Sequence, residues 1–137
     1  MIAHREPPYR HFGRVAARLD DAANCLPARL TAMSIAGAAA LQRLDAGTAL
    51  RIWRRDGEMH ASPNAGQSEA AMAGALGVQL GGTNTYDGQP HESAVLGAEG
   101  RRATVRDAKA AWSLVAIVSG LAFGAALLVT ALRRHDA

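Results

Sequence analysis

The chain has 137 residues, a formal net charge of +3 and one cysteine. This length allows one domain or part of one and excludes a large two-domain enzyme. The lone cysteine excludes an internal disulfide. So mild a positive charge does not indicate nucleic-acid binding. Apolar residues make up 49% of the chain but aromatic residues only 4%, and such small side chains favour close helix packing in a membrane over a bulky soluble core.

The N-terminal region predicts an arm followed by a helix. Residues 1–12 contain paired prolines and lack the apolar core of a signal peptide, so we expect an extended arm. The apolar spacing of residues 13–24 predicts a helix, which Pro27 should end or kink.

Three side chains with oxygen atoms lie at the end of this predicted helix: Asp20, Asp21 and Asn24. They would supply ligands for a magnesium ion, which takes a few carboxylates together with water and phosphate. The alternative is a solvated helix face on which Arg18 pairs with Asp21.

The next segment, residues 26–42, is apolar and predicts a second helix. Its uncharged part is shorter than the roughly 20 residues that cross a bilayer, so it would be buried or re-entrant, or a full span if the flanking residues are included. Arg29 at its edge would be either an interface anchor or a phosphate clamp.

A polar loop follows between two further predicted helices. The first covers residues 45–57, and the second runs from about Gln67 to Leu80 and stops at Gly81. Because the first-turn amides of the second helix lack intrahelical partners, an anion could bind there. His60 in the loop would act as acid, base or ligand, or have no chemical role.

Turn-forming residues between 81 and 97 predict a loop. Asn84 and Tyr86 would line a polar pocket there or face solvent. We expect no sheet, since period-two alternation is almost absent. Residues 99–109 are charged and predict a helix.

Residues 110–132 carry no charge and predict a transmembrane helix, with Trp112 near one interface and Arg133 and Arg134 beyond the other. The basic residues within 99–109 outnumber those after the span, which favours a cytoplasmic 99–109 segment and an external C-terminus. The expected fold is mainly α, an integral membrane fragment with one transmembrane helix, one shorter apolar helix and a polar loop region. Residues 133–137 would form a tail.

Two stretches resemble the CobD/CbiB family, the adenosylcobinamide-phosphate synthases of cobalamin biosynthesis: DDAANCLPARLTA and RRDGEMHASPNAGQSEAAMAGALGVQLGG. The resemblance implies a multi-pass enzyme of the cell (inner) membrane that uses ATP and Mg²⁺ to join adenosylcobyric acid to aminopropanol or aminopropanol phosphate through an amide bond. It covers a C-terminal portion of the family's length, with residues 1–109 as the catalytic or ligand-binding part.

The resemblance therefore implies a truncated or split synthase that acts with a separate N-terminal membrane half. The alternative is a non-catalytic, membrane-anchored module that binds a corrinoid or has a regulatory role.

Roles follow for the residues within the resembling motifs and the polar segment after them. The candidates for catalysis are His60, Asp56 and Glu69. The candidates for substrate binding are Arg29, Arg54, Arg55, Ser62, Asn64, Asn84 and Tyr86. The candidates for metal binding are Asp20, Asp21 and Asn24. The chain departs from the family at Cys25, where an aromatic residue is common, and at Gln67 and Ser68, where an aromatic–proline pair is usual; the missing proline predicts a looser first helical turn.

Overall fold

The computed structural model describes residues 10–86 and 88–135, with side chains described within 15–85 and 88–134. Within these residues the helices are α1 (Arg10–Leu41), α2 (Ala46–Asp56), α3 (Ala65–Leu76) and α4 (Val105–His135). The strands are β1 (Val78–Tyr86), β2 (Gln89–Leu96) and β3 (Arg101–Arg102). The predicted arm lies outside the described residues as far as residue 9, and residues 10–12 are already helical, contrary to that prediction.

Helix α1 runs through Pro27, so this proline does not end the helix, contrary to one of the two outcomes predicted for it. Proline removes one main-chain donor and crowds the carbonyl one turn earlier. Pro27 lies on an exposed part of the helix, and its own carbonyl oxygen accepts a hydrogen bond from Thr31 Oγ1 at 2.9 Å. The helix continues because the residues after Pro27 pack into the core, which offsets the local cost.

The C-terminal half of α1 forms the centre of that core. Its buried residues are Ala32, Ile35, Ala36, Ala38 and Ala39. They pack against alanines of α2 and α3 and against Leu114 of α4. One face of residues 26–42 is therefore buried in the helical body, whereas Leu26, Leu30, Met33 and Leu41 are more than half exposed. The choice between a buried and a re-entrant helix stays a prediction.

The small residues also set the distance between α2 and α3. A Cβ atom added at Gly74 would lie 2.6 Å from the carbonyl oxygen of Thr48 and 2.7 Å from the Cα atom of Ala49. No larger residue fits between these backbones, so Gly74 permits the close approach of the two helices.

Helix α2 matches its predicted range, whereas α3 ends earlier than predicted. Asp45 Oδ1 accepts a hydrogen bond from the Thr48 amide at 2.8 Å and caps the start of α2. Helix α3 stops at Gly77, which has a φ angle of 61° and donates to the carbonyl oxygens of Ala73 and Gly74. The left-handed conformation suits glycine, and the chain turns there into β1, so the predicted stop at Gly81 lies within a strand.

A three-stranded sheet occupies the segment where no sheet was expected, with strand order β2-β1-β3. Strands β1 and β2 are antiparallel, with Leu80 opposite Leu96 and Asn84 opposite His91, and β1 and β3 are parallel. Alternation is missing from the sequence because most of β2 is exposed on both faces. A helix was predicted over residues 99–109. Strand β3 occupies part of this range, and helix α4 begins only at Val105.

Helix α4 is long and apolar enough to cross a membrane, and only 6% of its most apolar window is buried. It runs antiparallel to α1: Gln42 Nε2 at the end of α1 donates to Ser113 Oγ at 2.8 Å, and Thr31, further back on α1, lines a groove with Ala122. Leu114 is fully buried, whereas Phe123 is 67% exposed. The body thus holds the first part of α4, and the rest carries an apolar surface.

Candidate functional site

The loop between α2 and α3 is closed by the side chain of Gln67, which is 4% exposed. Gln67 Nε2 donates to the carbonyl oxygens of Gly57 and Pro63, both at 3.0 Å. Gln67 Oε1 accepts from Trp53 Nε1 at 2.7 Å. The first turn of α3 is therefore tied to both ends of the loop, and the looser turn expected from the missing proline stays a prediction.

His60 and Ser62 are ordered by contacts within this loop. His60 Nδ1 accepts a hydrogen bond from the Ser62 amide at 3.0 Å. Ser62 Oγ accepts from the Ala65 amide at 3.4 Å, which supplies a partner for the first turn of α3. Because Nδ1 is an acceptor, the neutral His60 ring carries its proton on Nε2. The ring is thus set to donate a hydrogen bond through Nε2.

Asn64 joins the loop to α1. Its Nδ2 atom donates to the carbonyl oxygen of Asp21 at 2.8 Å, and its side chain makes no capping hydrogen bond to α3. The two motifs that are far apart in sequence therefore meet at one place. Asp21 and Asn64 lie on the same side of any membrane, so residues 26–41 do not separate them.

The other polar residues of α1 lie on the turns next to this contact. Asn24 Nδ2 donates to Asp20 Oδ1 at 3.1 Å and to the Asp20 carbonyl oxygen at 3.0 Å. Arg29 forms a long ion pair with Glu58 at 3.8 Å. Arg29 Nη1 also donates to the carbonyl oxygen and Sγ of Cys25, both at 3.0 Å. Arg29 therefore lies beside the loop with its guanidinium group held on α1.

The residues proposed for magnesium fit that ion in part. Asp20 and Asp21 supply two carboxylates and Asn24 an amide oxygen, which is a donor set that Mg²⁺ takes when phosphate and water complete the shell. The described residues contain no group of three or more His, Cys, Asp or Glu side chains that could hold a metal. These residues would hold the ion only together with a bound phosphate.

Arg55 and Asp56 belong to a network of paired charges on the other side of the loop. Arg55 donates to both carboxylate oxygens of Asp56, at 2.5 and 2.8 Å, and to both oxygens of Glu99, at 3.0 and 2.7 Å. Asp56 is 2% exposed and its Oδ2 accepts from the Gly97 amide at 2.7 Å. Arg51 adds a second ion pair to Glu99 at 2.7 Å. The network fastens the end of β2 to α2.

The network shifts the ionisation of its members. The hydrogen bonds from Arg55 hold the pKa of Asp56 below its ordinary value, and the Gly97 amide adds to this effect. Hydrogen bonds from Arg55 and Arg51 lower the pKa of Glu99 to about 2. Hydrogen bonds to Asp56 and Glu99 in turn raise the pKa of Arg55. Asp56 is therefore a carboxylate with internal partners on both oxygens, a geometry that suits positioning of the loop.

The structure leaves some predicted site residues without internal partners. Arg54 and Glu69 are exposed, and neither makes an ion pair or a side-chain hydrogen bond within the described part of the chain. Glu69 lines an open groove of about 520 Å³ between α1, α3 and α4. The other lining residues are Thr31, Ile35, Ser68, Met72, Leu80, Val115, Val118, Ser119 and Ala122.

Two predicted residues lie elsewhere. Asn84 is exposed in β1 opposite His91 of β2, away from the loop. Tyr86 ends β1, and its side chain lies outside the described ones. Gln67 and Glu99 were not proposed for roles in the site, and no local signal marks Glu99, because its partners Arg51 and Arg55 are more than 40 residues away in sequence.

Comparisons with known proteins agree with the arrangement of the two motifs. A family model described as CobD/Cbib protein matches residues 1–115. A cobalamin biosynthesis protein CobD of Brucella anthropi is 44% identical over 93% of this chain and 41% of its own length. A CobD protein of Geobacter metallireducens is 52% identical over 71% of this chain and 30% of its own length.

A cobalamin biosynthesis protein CbiB of Salmonella typhimurium is 44% identical over 96% of this chain and 40% of its own length. The chain thus spans about two fifths of the length of these relatives. No solved structure matches. Because the family match covers most of the chain, including both motifs, this chain belongs to the CobD/CbiB family.

Proposed function

We propose that this chain acts in cobalamin biosynthesis as part of an amide-forming synthase of the cell membrane, which joins adenosylcobyric acid to aminopropanol or aminopropanol phosphate. The observation that carries the proposal is the hydrogen bond from Asn64 to the Asp21 carbonyl. It unites the two family motifs at one corner, which we call the α1–loop corner: residues 20–29, 58–64 and the first turn of α3.

Positive groups at this corner and at the end of α2 would bind the anionic parts of the substrates. Arg29 donates through Nη1 to the carbonyl oxygen and Sγ of Cys25, both at 3.0 Å, and its ion pair with Glu58 is long. Arg54 of α2 is exposed and has no ion pair within the described residues. Both therefore suit phosphate or carboxylate oxygens. Arg55 is already bound to two carboxylates, so we assign it a positioning role in place of substrate binding.

ATP with Mg²⁺, when bound, supplies the activation of the carboxylate that an amide bond requires. Asp20, Asp21 and Asn24 are the residues that would hold the ion. His60, with its proton on Nε2, would donate a hydrogen bond to a phosphate or carbonyl oxygen that gains negative charge. For His60 to accept a proton instead, the ring would have to release the Ser62 amide.

Amide formation also releases a proton from the attacking amine. Glu69 is the proposed acceptor, because its carboxylate has no ion pair within the described part of the chain and lies on the first turns of α3. The adjacent groove would hold the apolar parts of a substrate near that carboxylate. Helix α4 would cross the membrane and anchor the assembly.

The relatives contain a long region that this chain does not match, and the proposed activity requires that region. The test measures amide product from adenosylcobyric acid, ATP–Mg²⁺ and aminopropanol phosphate in membranes that contain this chain, with and without a co-expressed N-terminal region of a relative. We expect product only when both are present, and we expect His60→Ala to lower the yield at least tenfold. Arg18→Gln is the control outside the corner.

Absence of product in both membranes would contradict the synthase proposal. If a corrinoid still binds under those conditions, the chain would be the non-catalytic binding module. Product from this chain alone would contradict the requirement for the additional region.

A further inference from the structure

Four exposed basic residues lie at or near the first turns of α4. Arg102 lies in β3, and Arg106 and Lys109 lie in the first turns of α4, all exposed. Arg43 follows the end of α1, where the neighbouring Gln42 is hydrogen-bonded to Ser113 of α4. These four residues, Arg43, Arg102, Arg106 and Lys109, are called the basic collar below.

The carboxylates near the collar already have partners. Asp107 accepts from Arg101 at 2.6 and 2.7 Å and from Thr104. Glu99 is shared by Arg51 and Arg55. No collar residue makes an ion pair within residues 10–86 and 88–135. The collar is therefore a positive surface whose charge the fold leaves uncompensated.

An open recess lies within this surface. It has a volume of about 520 Å³ and is lined by Arg101, Thr104, Val105 and Arg106. Arg101 is already bound to Asp107, whereas Arg106 makes no ion pair within the described residues. The Arg106 guanidinium group can therefore bind phosphate oxygens with two parallel hydrogen bonds.

The surface changes in character along α4. After Lys109 comes Trp112, which is 77% exposed, and further along come exposed large apolar residues such as Leu121 and Phe123. The order of basic, aromatic and apolar residues matches the order of phosphate, interface and acyl chains in a lipid leaflet.

We propose that the basic collar binds the phosphate headgroups of anionic phospholipids and so fixes the beginning of α4 at the surface of an anionic leaflet. This inference rests on the membrane crossing of α4 that is part of the proposed function. We take the ligand to be a lipid and not a soluble phosphate, because Val105, which lines the recess, and Trp112 further along α4 are apolar residues that are 78% and 77% exposed.

The fluorescence of Trp112 provides the test. The full chain is reconstituted in phosphatidylcholine vesicles that contain equal small fractions of brominated phosphatidylglycerol or brominated phosphatidylcholine, since bromine quenches a nearby indole. Trp53 is hydrogen-bonded to Gln67 in the body and gives a common background. The triple variant R102Q/R106Q/K109Q is compared with the control R18Q/R133Q/R134Q, which loses the same charge elsewhere.

In the wild type and in the control, we expect brominated phosphatidylglycerol to quench Trp112 roughly fivefold or more as strongly as brominated phosphatidylcholine does. A ratio of this size is the effect expected of one or more basic residues at an anionic surface. In the collar variant the ratio of quenching by the two lipids should be near one. Equal quenching of the wild type by the two lipids, or an unchanged preference in the collar variant, would overturn this inference alone. So would loss of the preference on adding glycerol phosphate at matched ionic strength, which would indicate a soluble ligand.

A separate outcome of the same experiment tests the membrane crossing of α4. No quenching by either lipid would show that α4 is outside the bilayer, and it would overturn both the crossing and the lipid site.

Discussion

The two sides of the loop between α2 and α3 use polar side chains in opposite ways. On one side Asp56 is buried and has both oxygens bound by Arg55 and the Gly97 amide. On the other side His60 and Asn64 each form one internal hydrogen bond and keep further polar atoms for a ligand. The first set forms a closed network that supports the fold, whereas the second keeps polar atoms next to that network that can bind a ligand.

Removal of Asp56 should give the largest loss of stability. Asp56→Ala leaves the Gly97 amide and Arg55 without their carboxylate, and we expect the free energy of unfolding to fall by about 2–4 kcal/mol. Thermal unfolding in detergent micelles measures the change. Glu99→Gln is the matched control at the exposed end of the same network and should cost less than about 1 kcal/mol. Equal losses in the two variants would contradict a closed network centred on Asp56.

Replacement of Gln67 should have the next largest effect. Gln67→Leu keeps a similar volume but leaves the Trp53 indole and the Gly57 and Pro63 carbonyls without this partner, at a cost of roughly 2 kcal/mol. The same unfolding measurement applies. Ser68→Ala is the control, because Ser68 donates only a long hydrogen bond of 3.4 Å to Ala65. A stable Gln67→Leu protein would show that the loop does not depend on this side chain.

Acid should weaken the closed network. The folded-state pKa of Asp56 is lowered and that of Glu99 is lowered to about 2, whereas unfolded carboxyls titrate near pH ~4. The stability that these groups contribute is present above pH ~4 and is lost as the pH falls toward the folded-state values. The melting temperature should therefore drop between about pH 4 and pH 2. The variant D56N/E99Q should show a flatter profile, and an unchanged slope would assign the acid sensitivity to other groups.

Asn64→Ala should have the smallest effect on stability and a large effect on activity. It removes one hydrogen bond to a main-chain carbonyl, which is worth about 1 kcal/mol or less. Amide yield in membranes with the complete family region should nevertheless fall at least tenfold, because the two motifs lose their direct contact. Normal yield with normal stability would contradict the role of the α1–loop corner.

Local patterns in the sequence predicted much of the helical structure. The apolar side of residues 45–57 indicated α2, and the uncharged run of residues 110–132 indicated most of α4. Pro27 does not end α1, contrary to one of the two predicted outcomes, because burial of the residues beyond it, a tertiary effect, outweighs the local penalty. The sheet was missed because exposed strands such as β2 lack the alternation that marks a half-buried strand.

The candidate site was predictable only as two motifs. The motifs supplied His60, Ser62, Asn64 and the Asp20–Asp21 pair, but their contact is made through a main-chain carbonyl, which leaves no pattern in side-chain spacing. The structural role of Arg55 likewise depends on Glu99, a residue distant in sequence. Long-range pairs of this kind become visible only in the folded chain.

The antiparallel ribbon of β1 and β2 has a practical consequence. Residues 83–85 and 88–92 are exposed, so the far part of the ribbon stands clear of the helical core. A short protease-cleavage tag inserted at Gly88 should leave the core unchanged. Cleavage of that tag in sealed vesicles would report on which face of the membrane the ribbon lies, and the chain therefore carries a natural place for a sidedness reporter.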